Sequence, residues 1–492
     1  MAELKVIRGG AQTTLAFEAG TGLADVLKAH GLGVLSPCGG RGACGKCAVM
    51  LDGQISPPNP AEQKAGCRLA CQAVLNGDAT VILPEEQAME GIELGGGCPL
   101  QPIAPMPGRY GAAVDIGTTT IALGLYSLRD GACLARCGML NPQTSAAADV
   151  MGRIGAAMAG ESARLQAQVT GAMAALLAQA CARAGIGGSE VESMVVTGNT
   201  TMLYLLTGQD PAPLSRAPFE ADCLFDETLA LCGKTAYLPR CMHAFVGADI
   251  TCAVLASGMC EQHGISLLCD AGTNGELALW KDGELLVTST AAGPAFEGAG
   301  ISCGCGSVRG AIDKVALHGG KLIVHTIGDA PAVGVCGSGL IDAVAAGLAL
   351  GTVDETGAME GRSFELSPGV RLLPADIRAL QLAKAAIAAG IDTLLETAGI
   401  RAGDVDAFYI AGGFGSHLDV ESAAAIGLFP KILASRARVL GNAALTGAAQ
   451  QLLNRDECGS ARKIACTARH VNLGGNPAFS RHYMEQMLFP EA

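Results

Sequence analysis

The sequence has few aromatic and few charged side chains, and it lacks an excess of positive charge. Aromatic residues make up 4% of the 492 residues and charged residues 16%, against roughly 25% in an average domain. The formal net charge of −13 argues against general affinity for nucleic acid or for anionic membranes. Macromolecular partners are therefore expected to be proteins.

Long apolar runs and a leader-like N-terminus are also missing. The first ten residues lack a basic region followed by an apolar stretch and a cleavage site. No charge-free apolar run approaches the roughly 20 residues that a membrane-spanning helix needs. We therefore expect a soluble, cytoplasmic protein that divides into about two to four domains.

Cysteine and glycine are abundant, with 20 and 68 residues respectively. In a large chain without an export signal, this many cysteines favours free thiols and metal ligands over a disulfide framework. Such a thiol content also suits an anaerobic host.

The pattern along the chain predicts three segments. Residues 1–86 form a small β-rich domain, with a hairpin around Gly9 and Gly10, a short helix over Leu23–His30 and a closing strand over Thr80–Pro84. Residues 87–109 combine glycines with spaced prolines, as linkers do. From residue 110 to 492, apolar strands ending in Gly/Thr/Asp loops alternate with Ala-rich helices, which indicates α/β architecture.

Three cysteines of the first segment have the spacing C-x5-C-x2-C, at Cys38, Cys44 and Cys47. A fourth thiolate could come from Cys67 or Cys71, and four thiolates can hold a 2Fe–2S cluster. The intervening glycines permit the unusual backbone angles of a loop that wraps a cluster. A zinc site is the alternative, but zinc ribbons prefer two Cys-x-x-Cys pairs and only one is present.

This segment resembles the 2Fe–2S ferredoxins of the plant and adrenodoxin type, which have an α+β, β-grasp fold. In that family the fourth ligand lies in an Arg-Leu-x-Cys-Gln context. The resemblance therefore implies that Cys71, within Arg68–Gln72, completes the ligand set with Cys38, Cys44 and Cys47.

Three glycine-containing loops follow apolar strands in the long segment, although a G-x-x-x-x-G-K-[ST] phosphate loop is absent. In the first two loops an Asp precedes a tight turn whose hydroxyl and N–H groups can face phosphates. The third has glycines that allow close approach of a nucleotide. These loops comprise Asp115, Gly117, Thr118, Thr119 and Thr120; Asp270, Gly272, Thr273, Asn274 and Gly275; and Gly412, Gly413 and Phe414. Ordinary strand-end turns are the alternative interpretation.

The ordered set of loops resembles the superfamily of actin, Hsp70, acetate kinase and sugar kinases. That resemblance implies two ribonuclease H-like lobes, about 110–245 and 246–492, that clamp ATP. The first two loops would grip phosphates, the third would hold adenosine, and Gly337, Ser338 and Gly339 would open a helix near the nucleotide. Asp115 and Asp270 would bind Mg²⁺ through water. Asp249 could act as a general base or Mg²⁺ ligand, or equally well as a helix cap.

Taken together, the two halves resemble the reductive activators of corrinoid proteins, including at Asn141–Gln143, Gly198–Met202 and Ile410–Gly415. The resemblance implies ATP-dependent reduction of a corrinoid methyl-carrier protein from Co(II) to Co(I), with one electron from the 2Fe–2S cluster. Such activators serve methyltransferase systems, including O-demethylation. A low-potential donor such as ferredoxin or flavodoxin would supply the electron, and a homodimer is compatible with the resemblance.

Three other functions are compatible with parts of the sequence. An activator of 2-hydroxyacyl-CoA dehydratases resembles the second half, but would lack the ferredoxin domain and would carry a 4Fe–4S centre. A redox-sensing small-molecule kinase would phosphorylate a sugar or a carboxylate. A redox-sensing binding protein would bind ATP without turnover.

Overall fold

Three six-stranded sheets organise the part of the chain that the structure describes. The computed structural model describes residues 2–8, 11–30, 32, 34, 42, 47–83, 101–272, 274–412 and 418–491. The first sheet belongs to the N-terminal segment, and the other two belong to the segment that follows residue 100.

The N-terminal domain packs a short helix against a mixed sheet of order β2-β1-β6-β4-β5, with β3 also paired to β6. Its elements are β1 (Ala2–Arg8), β2 (Ala11–Phe17), β3 (Thr21–Gly22), α1 (Leu23–Ala29), β4 (Ala48–Ile55), α2 (Pro60–Ala65), β5 (Arg68–Leu69) and β6 (Val74–Ile82). Strands β1 and β2 form the expected antiparallel hairpin, whose turn residues lie outside the described residues. The last strand begins at Val74 rather than Thr80, since its inward alternation already starts at Leu75.

The first lobe of the long segment carries a sheet of order β11-β12-β10-β7-β8-β9. Its strands are β7 (Tyr110–Ile116), β8 (Thr120–Ser127), β9 (Cys133–Leu140), β10 (Val191–Gly198), β11 (Glu227–Leu231) and β12 (Lys234–Leu238). Its helices are α3 (Val150–Ala156), α4 (Ser162–Ala184) and α5 (Thr200–Thr207). A π-helical turn over Ala157–Glu161 joins α3 to α4.

The second lobe carries a sheet of order β22-β21-β13-β14-β15-β23 and two smaller sheets. Its strands are β13 (Ser266–Ala271), β14 (Gly275–Lys281), β15 (Glu284–Thr290), β16 (Ala311–His318), β17 (Lys321–Thr326), β18 (Gly334–Val335), β19 (Phe364–Ser367), β20 (Val370–Leu372), β21 (Ala407–Ala411), β22 (Ala437–Gly441) and β23 (Ala468–His470). The remaining helices are α6 (Ala248–Ser257), α7 (Gly337–Ala349), α8 (Pro374–Thr397), α9 (Val420–Ala425), α10 (Ala443–Leu453), α11 (Asp456–Thr467) and α12 (Pro477–Glu485).

The two large sheets repeat one topology, which confirms the duplicated, two-lobed fold expected from the loops. Strand β7 is parallel to β10 and antiparallel to β8, and β13 is likewise parallel to β21 and antiparallel to β14. The alternation of strands with helices that the sequence predicts from residue 110 onward is wrong at 111–125 and 267–279, where two antiparallel strands follow each other. Tight turns reverse the chain into β8 and β14, as the Gly117 N–H donates to the Thr120 carbonyl at 2.9 Å.

Two helices, α6 and α10, cross closely between the lobes. Helix α6 packs on the sheet of the second lobe, whereas α10, which follows that sheet in sequence, packs on the sheet of the first. Where they cross, a Cβ at Gly447 would lie 2.0 Å from the Cys252 carbonyl oxygen. Only glycine allows this approach, which brings α10, packed on the sheet of the first lobe, against α6, packed on the sheet of the second.

The long helices owe their placement to apolar stripes. In α4, inward residues recur at helical spacing from Leu165 through Val169 and Met173 to Leu177, and all four are buried. None of the helices in the described ranges combines the length and apolar character needed to cross a membrane.

Candidate functional site

Two of the predicted cluster cysteines converge in the N-terminal domain. The Sγ atoms of Cys47 and Cys71 are 3.2 Å apart, because the Ala70 N–H donates to the Cys47 carbonyl at 2.8 Å and draws the two turns together. Cys38 and Cys44 lie outside the described residues. The geometry supports Cys71 as a fourth ligand, and paired sulfurs suit an iron–sulfur cluster.

A buried ionic network shapes the turn before Cys71. The Glu62 carboxylate, only 2% exposed, accepts hydrogen bonds from Arg68 Nε at 2.9 Å and from the Leu69 N–H at 3.0 Å. Burial alone would raise the pKa of Glu62, but these bonds outweigh it and lower the pKa. The carboxylate therefore stays charged and holds the chain that leads to Cys71.

Gly42, within the predicted cluster loop, meets two constraints at once. Its φ is +70°, and a Cβ there would lie 3.0 Å from both the Ala61 Cβ and the Gln72 side chain. A larger residue would be strained and crowded, as expected for a loop that wraps a cluster.

The first phosphate loop, Gly117–Thr120, is held by asparagines from neighbouring elements. The Asn141 side chain donates to the Gly117 carbonyl at 2.9 Å, and the Asn141 N–H donates to the Thr119 carbonyl at 2.7 Å. Asn199, which caps α5, donates to the Thr118 hydroxyl at 3.0 Å. The predicted motifs around Asn141 and Asn199 thus contact the loop itself.

A buried arginine behind this loop was not found from the sequence. Arg153 on α3 is fully buried and donates to the carbonyls of Thr118 and Ala147 and to the side chain of Gln143. Burial lowers the pKa of Arg153 to about 10, which leaves it charged at neutral pH. A cation bonded to neutral acceptors here favours an anion in the adjacent cleft.

The second phosphate loop follows β13 and reverses into β14. Asp270 lies at the end of β13, and the Gly272 N–H donates to the Asn274 carbonyl at 3.0 Å across the turn; Thr273 lies outside the described residues. Gly412 starts the third loop with φ +98°, and a Cβ there would lie 2.6 Å from Asp270 Oδ1. The backbone of the third loop therefore reaches the second directly, although Gly413 and Phe414 lie beyond the described part.

Four buried acids interact electrostatically where the lobes face each other. Burial raises the pKa of Asp115 to about 6, although an Asn442 side-chain hydrogen bond of 2.8 Å opposes the rise. Burial and the charge of Asp115 raise the pKa of Asp270 to about 7. Burial and both of these charges raise the pKa of Asp249 to about 8.

Glu276 on β14 is the fourth acid, which the sequence showed but did not single out. Its pKa is raised well above the ordinary value by burial and then by Asp249 and Asp270. Such a set of unneutralised acids favours a bound cation. Within the described ranges, no three His, Cys, Asp or Glu side chains are close enough to ligate a metal ion together.

Asp249 does not cap its helix. Gly247 is the N-cap of α6, and Asp249 lies in the first turn, where its Oδ1 accepts the Ile250 N–H at 2.8 Å. A Cβ at Gly247 would lie 2.4 Å from the Asn199 Cα, which places the start of α6 against the first lobe.

The Gly337–Gly339 turn begins α7, as the sequence predicted, but its hydroxyl is engaged. Ser338 donates to the Asp313 carbonyl at 2.9 Å, and a Cβ at Gly339 would lie 2.2 Å from the Ile312 carbonyl oxygen. These contacts pack the turn against β16. Any nucleotide contact there would use backbone rather than the Ser338 hydroxyl.

Comparison with known families covers almost all of the described chain. Residues 264–492 match the C-terminal ASKHA domain of RACo, residues 110–262 match the RACo middle region, and residues 6–76 match the 2Fe-2S iron-sulfur cluster binding domain.

Individual relatives point the same way. The chain is 34% identical over 420 residues to the corrinoid activation enzyme RamQ of Eubacterium limosum, covering 77% of this chain and 70% of that protein. It is 27% identical to a [Co(II) methylated amine-specific corrinoid protein] reductase of Methanosarcina barkeri, covering 61% of this chain and 63% of that one. The solved structure of a reductive activator for corrinoid, iron-sulfur protein aligns over 99% of both chains, with a TM-score of 0.73 and 27% identity.

Proposed function

Because the chain belongs to the family of reductive activators of corrinoid proteins, we propose that it returns an inactive Co(II) corrinoid carrier to Co(I) in an ATP-dependent, one-electron reduction. One observation supports the proposal above all: a single chain combines a pair of neighbouring thiols, Cys47 and Cys71, with a duplicated fold that carries a candidate phosphate loop in each half. Electron transfer by a ferredoxin needs no ATP. The combination is useful when the electron must reach an acceptor of very low potential.

The N-terminal domain would hold its cluster through Cys38, Cys44, Cys47 and Cys71. When bound, the cluster supplies the single electron. The residues around it have positioning roles: Glu62 and Arg68 fix the turn before Cys71, and Gln72 Nε2 approaches the Cys71 sulfur at 3.6 Å. Donors directed at ligand sulfurs tune such centres.

The facing loops would hold Mg-ATP. Hydroxyl and N–H groups of Gly117–Thr120 and of Gly272–Gly275 would bind phosphates, and the backbone at Gly412–Phe414 would approach the adenosine. Asp115, Asp270 and Asp249 would hold Mg²⁺ through water and orient the water that attacks the terminal phosphate. The raised pKa values of these acids support this role, since a cation would compensate their mutual repulsion.

A chain of contacts connects the nucleotide loops to the N-terminal domain. Arg153 holds the first phosphate loop from α3, and the π-helical turn after α3 ends at Glu161. Glu161 forms an ion pair of 3.4 Å with Lys28, at the end of α1. Nucleotide can change the orientation of the cluster domain only by binding one arrangement better than another. A partly exposed ion pair is weak enough to be remade during such a change.

The decisive experiment compares reduction with and without nucleotide. Anaerobically prepared protein is mixed with a Co(II) corrinoid carrier and a low-potential reductant, and Co(I) formation is followed by its absorbance. We expect reduction to require Mg-ATP and to stop when Mg²⁺ is chelated. Equal rates with and without Mg-ATP would contradict the proposal, and a phosphorylated sugar or carboxylate would favour a kinase instead.

The cluster assignment has its own matched pair of variants. Cys71→Ala should abolish the iron–sulfur absorbance, because it removes the thiol that meets Cys47. Cys67→Ala should preserve it. The reverse pattern would assign the fourth ligand to Cys67. A ferredoxin or flavodoxin donor and a homodimer remain predictions from the resemblance, and a cytoplasmic location remains a prediction from the sequence.

A further inference from the structure

A hydrogen bond from Thr119 connects the first phosphate loop to the opposite lobe. The Thr119 hydroxyl donates to Glu297 Oε2 at 2.5 Å, across 178 residues of sequence. Thr119 belongs to the turn between β7 and β8, whereas Glu297 ends a 3₁₀ turn, Pro294–Glu297, that follows β15. The contact therefore spans the cleft that the two loops face.

The turn that carries Glu297 packs tightly against the following segment of the second lobe. Gly298 ends the turn with φ +74°, and a Cβ there would lie 2.4 Å from the Cys305 carbonyl oxygen. A Cβ at Gly304 would lie 2.1 Å from the Gly298 carbonyl oxygen. In turn, the Cys305 N–H donates to the Val335 carbonyl at 2.9 Å, just before α7. Movement of Glu297 would therefore carry this segment of the second lobe with it.

The Thr119 side is held just as firmly by the first lobe. The Asn141 N–H donates to the Thr119 carbonyl at 2.7 Å, and Arg153 donates to the neighbouring Thr118 carbonyl. The field of Glu297 also reaches Arg153, since that carboxylate acts to raise the arginine pKa against the effect of burial. A negative group at Thr119 is thus favoured electrostatically.

The hydroxyl of Thr119 has only one proton to donate. It can bond to the Glu297 carboxylate or to a phosphate oxygen, but not to both. The two acceptors also carry like charge, so a phosphate at Thr119 and the Glu297 carboxylate repel each other at this distance. Phosphate binding at this hydroxyl and the interlobe bond therefore exclude each other.

We propose that Glu297 is a positioning residue that competes with ATP for the phosphate-binding hydroxyl of Thr119, so that nucleotide binding breaks a bridge between the lobes. This inference rests on the proposed function, because it takes Thr119 to be a phosphate ligand. Release of the bridge removes this link between the segment before α7 and the first phosphate loop. Loss of the terminal phosphate lets the bridge form again.

The test is a pair of measurements on Glu297→Gln in the full-length, cluster-containing protein. The variant keeps the shape of the side chain but removes its charge. We expect a non-hydrolysable ATP analogue, titrated with Mg²⁺, to bind up to about tenfold more tightly, because a charge-assisted bond no longer competes for Thr119. ATP-driven stimulation of corrinoid reduction should fall, since the bridge is weak with or without nucleotide. Thr119→Val should weaken analogue binding and reduce the gain from Glu297→Gln in the double variant.

Controls separate this role from the alternatives. Glu284→Gln, at an exposed glutamate of the same lobe that pairs with Arg469, should leave analogue affinity unchanged. Weaker analogue binding by Glu297→Gln would make Glu297 a structural or ligand-binding residue, and unchanged affinity with slower hydrolysis would make it catalytic; either result overturns the inference. An unchanged thermal unfolding midpoint shows that a variant is folded, and Glu297→Asp, which keeps the charge, should bind the analogue less tightly than Glu297→Gln. Failure of the wild type to bind the analogue would instead overturn the proposed function.

Discussion

The two lobes share a strand order, yet they present opposite chemistry at the same turn. Around the turn between β7 and β8, the first lobe places hydroxyls, the amide of Asn199 and the buried cation of Arg153. Around the turn between β13 and β14, the second lobe places Asp270 and Glu276, and burial followed by the charges of Asp249 and Asp270 raises the pKa of Glu276. Duplication gives both turns the same place between antiparallel strands, whereas the side chains around them are donors in the first lobe and acids in the second.

This division matches what a magnesium–nucleotide complex requires. In the proposed function, the first lobe would supply donors for phosphate oxygens, and the second lobe would supply most of the acceptors for the hydrated cation. Two hydrogen bonds connect the lobes at the first phosphate loop. Asn442 of the second lobe donates a hydrogen bond to Asp115, and Glu297 of the second lobe accepts one from Thr119. The first phosphate loop thus bonds to two residues of the opposite lobe.

The largest expected effect comes from removing an acid of the second lobe. Asp270→Asn should slow ATP-dependent corrinoid reduction by roughly 10²–10³-fold, the usual loss when one group that stabilises developing charge is removed. The iron–sulfur absorbance should be unchanged, because the cluster domain is a separate unit of the fold. Reduction rates at saturating Mg-ATP measure the effect.

Asp282→Asn is the matched control for this substitution. Asp282 is exposed in the turn between β14 and β15, with φ +52°, a conformation that asparagine tolerates well. It should behave as the wild type. An unchanged rate for Asp270→Asn would show that ATP-dependent reduction does not need this acid of the second lobe.

Local spacing explains what the sequence could predict. The cysteines around Cys44 and the Asp-x-Gly-Thr-Thr turn at Asp115 are short patterns whose chemistry lies within a few residues. They predicted the cluster domain, the duplicated fold and the facing loops. The β-hairpins after β7 and β13 were not predicted, because an apolar strand following a glycine turn has the same composition as a buried helix.

Long-range partners explain what the sequence could not show. Glu297 meets Thr119 across 178 residues, and Asn442 meets Asp115 across 327 residues. Arg153 lies in a segment without a recognisable motif, and its burial follows only from the packing of α3 beneath the first loop. Because tertiary packing alone brings these residues together, no local sequence pattern predicts their contacts.

Arg153→Met tests the donor character of the first lobe. The substitution fills much of the volume but leaves buried carbonyls of Thr118 and Ala147 without their donor, at about 1–3 kcal/mol for each. We expect a lower unfolding midpoint and an apparent ATP affinity reduced by about tenfold. Arg183→Met, at an exposed arginine on α4, should change stability by less than about 0.5 kcal/mol. Unchanged ATP affinity for Arg153→Met would make that arginine a stabilising residue only.

Gly447→Ala tests the crossing that joins the lobes. Its new Cβ would lie 2.0 Å from the Cys252 carbonyl, so α6 and α10 must separate, at about 1–3 kcal/mol of unfolding free energy. Gly171→Ala is the control: that exposed position in α4 has no atom within 4 Å of the added Cβ. It should stabilise the protein by about 0.5–1 kcal/mol. Equal effects at the two glycines would show that the helices do not cross this closely in solution.

The smallest effect expected is at Asn442, where one side chain has two roles. Its Oδ1 accepts the Leu445 N–H at 2.7 Å and caps α10, while its Nδ2 donates to Asp115 at 2.8 Å. Asn442→Ala loses both bonds, whereas Asn442→Ser keeps a cap of similar quality but does not preserve the bond to Asp115. The two variants should therefore differ in unfolding free energy by about 1 kcal/mol, the value of the cap. Both should show the same modest loss of ATP-dependent reduction, because Asp115, whose pKa is already raised to about 6, then lacks the bond that opposes the rise. A serine variant with the wild-type rate would mean that Asp115 functions without help from the opposite lobe.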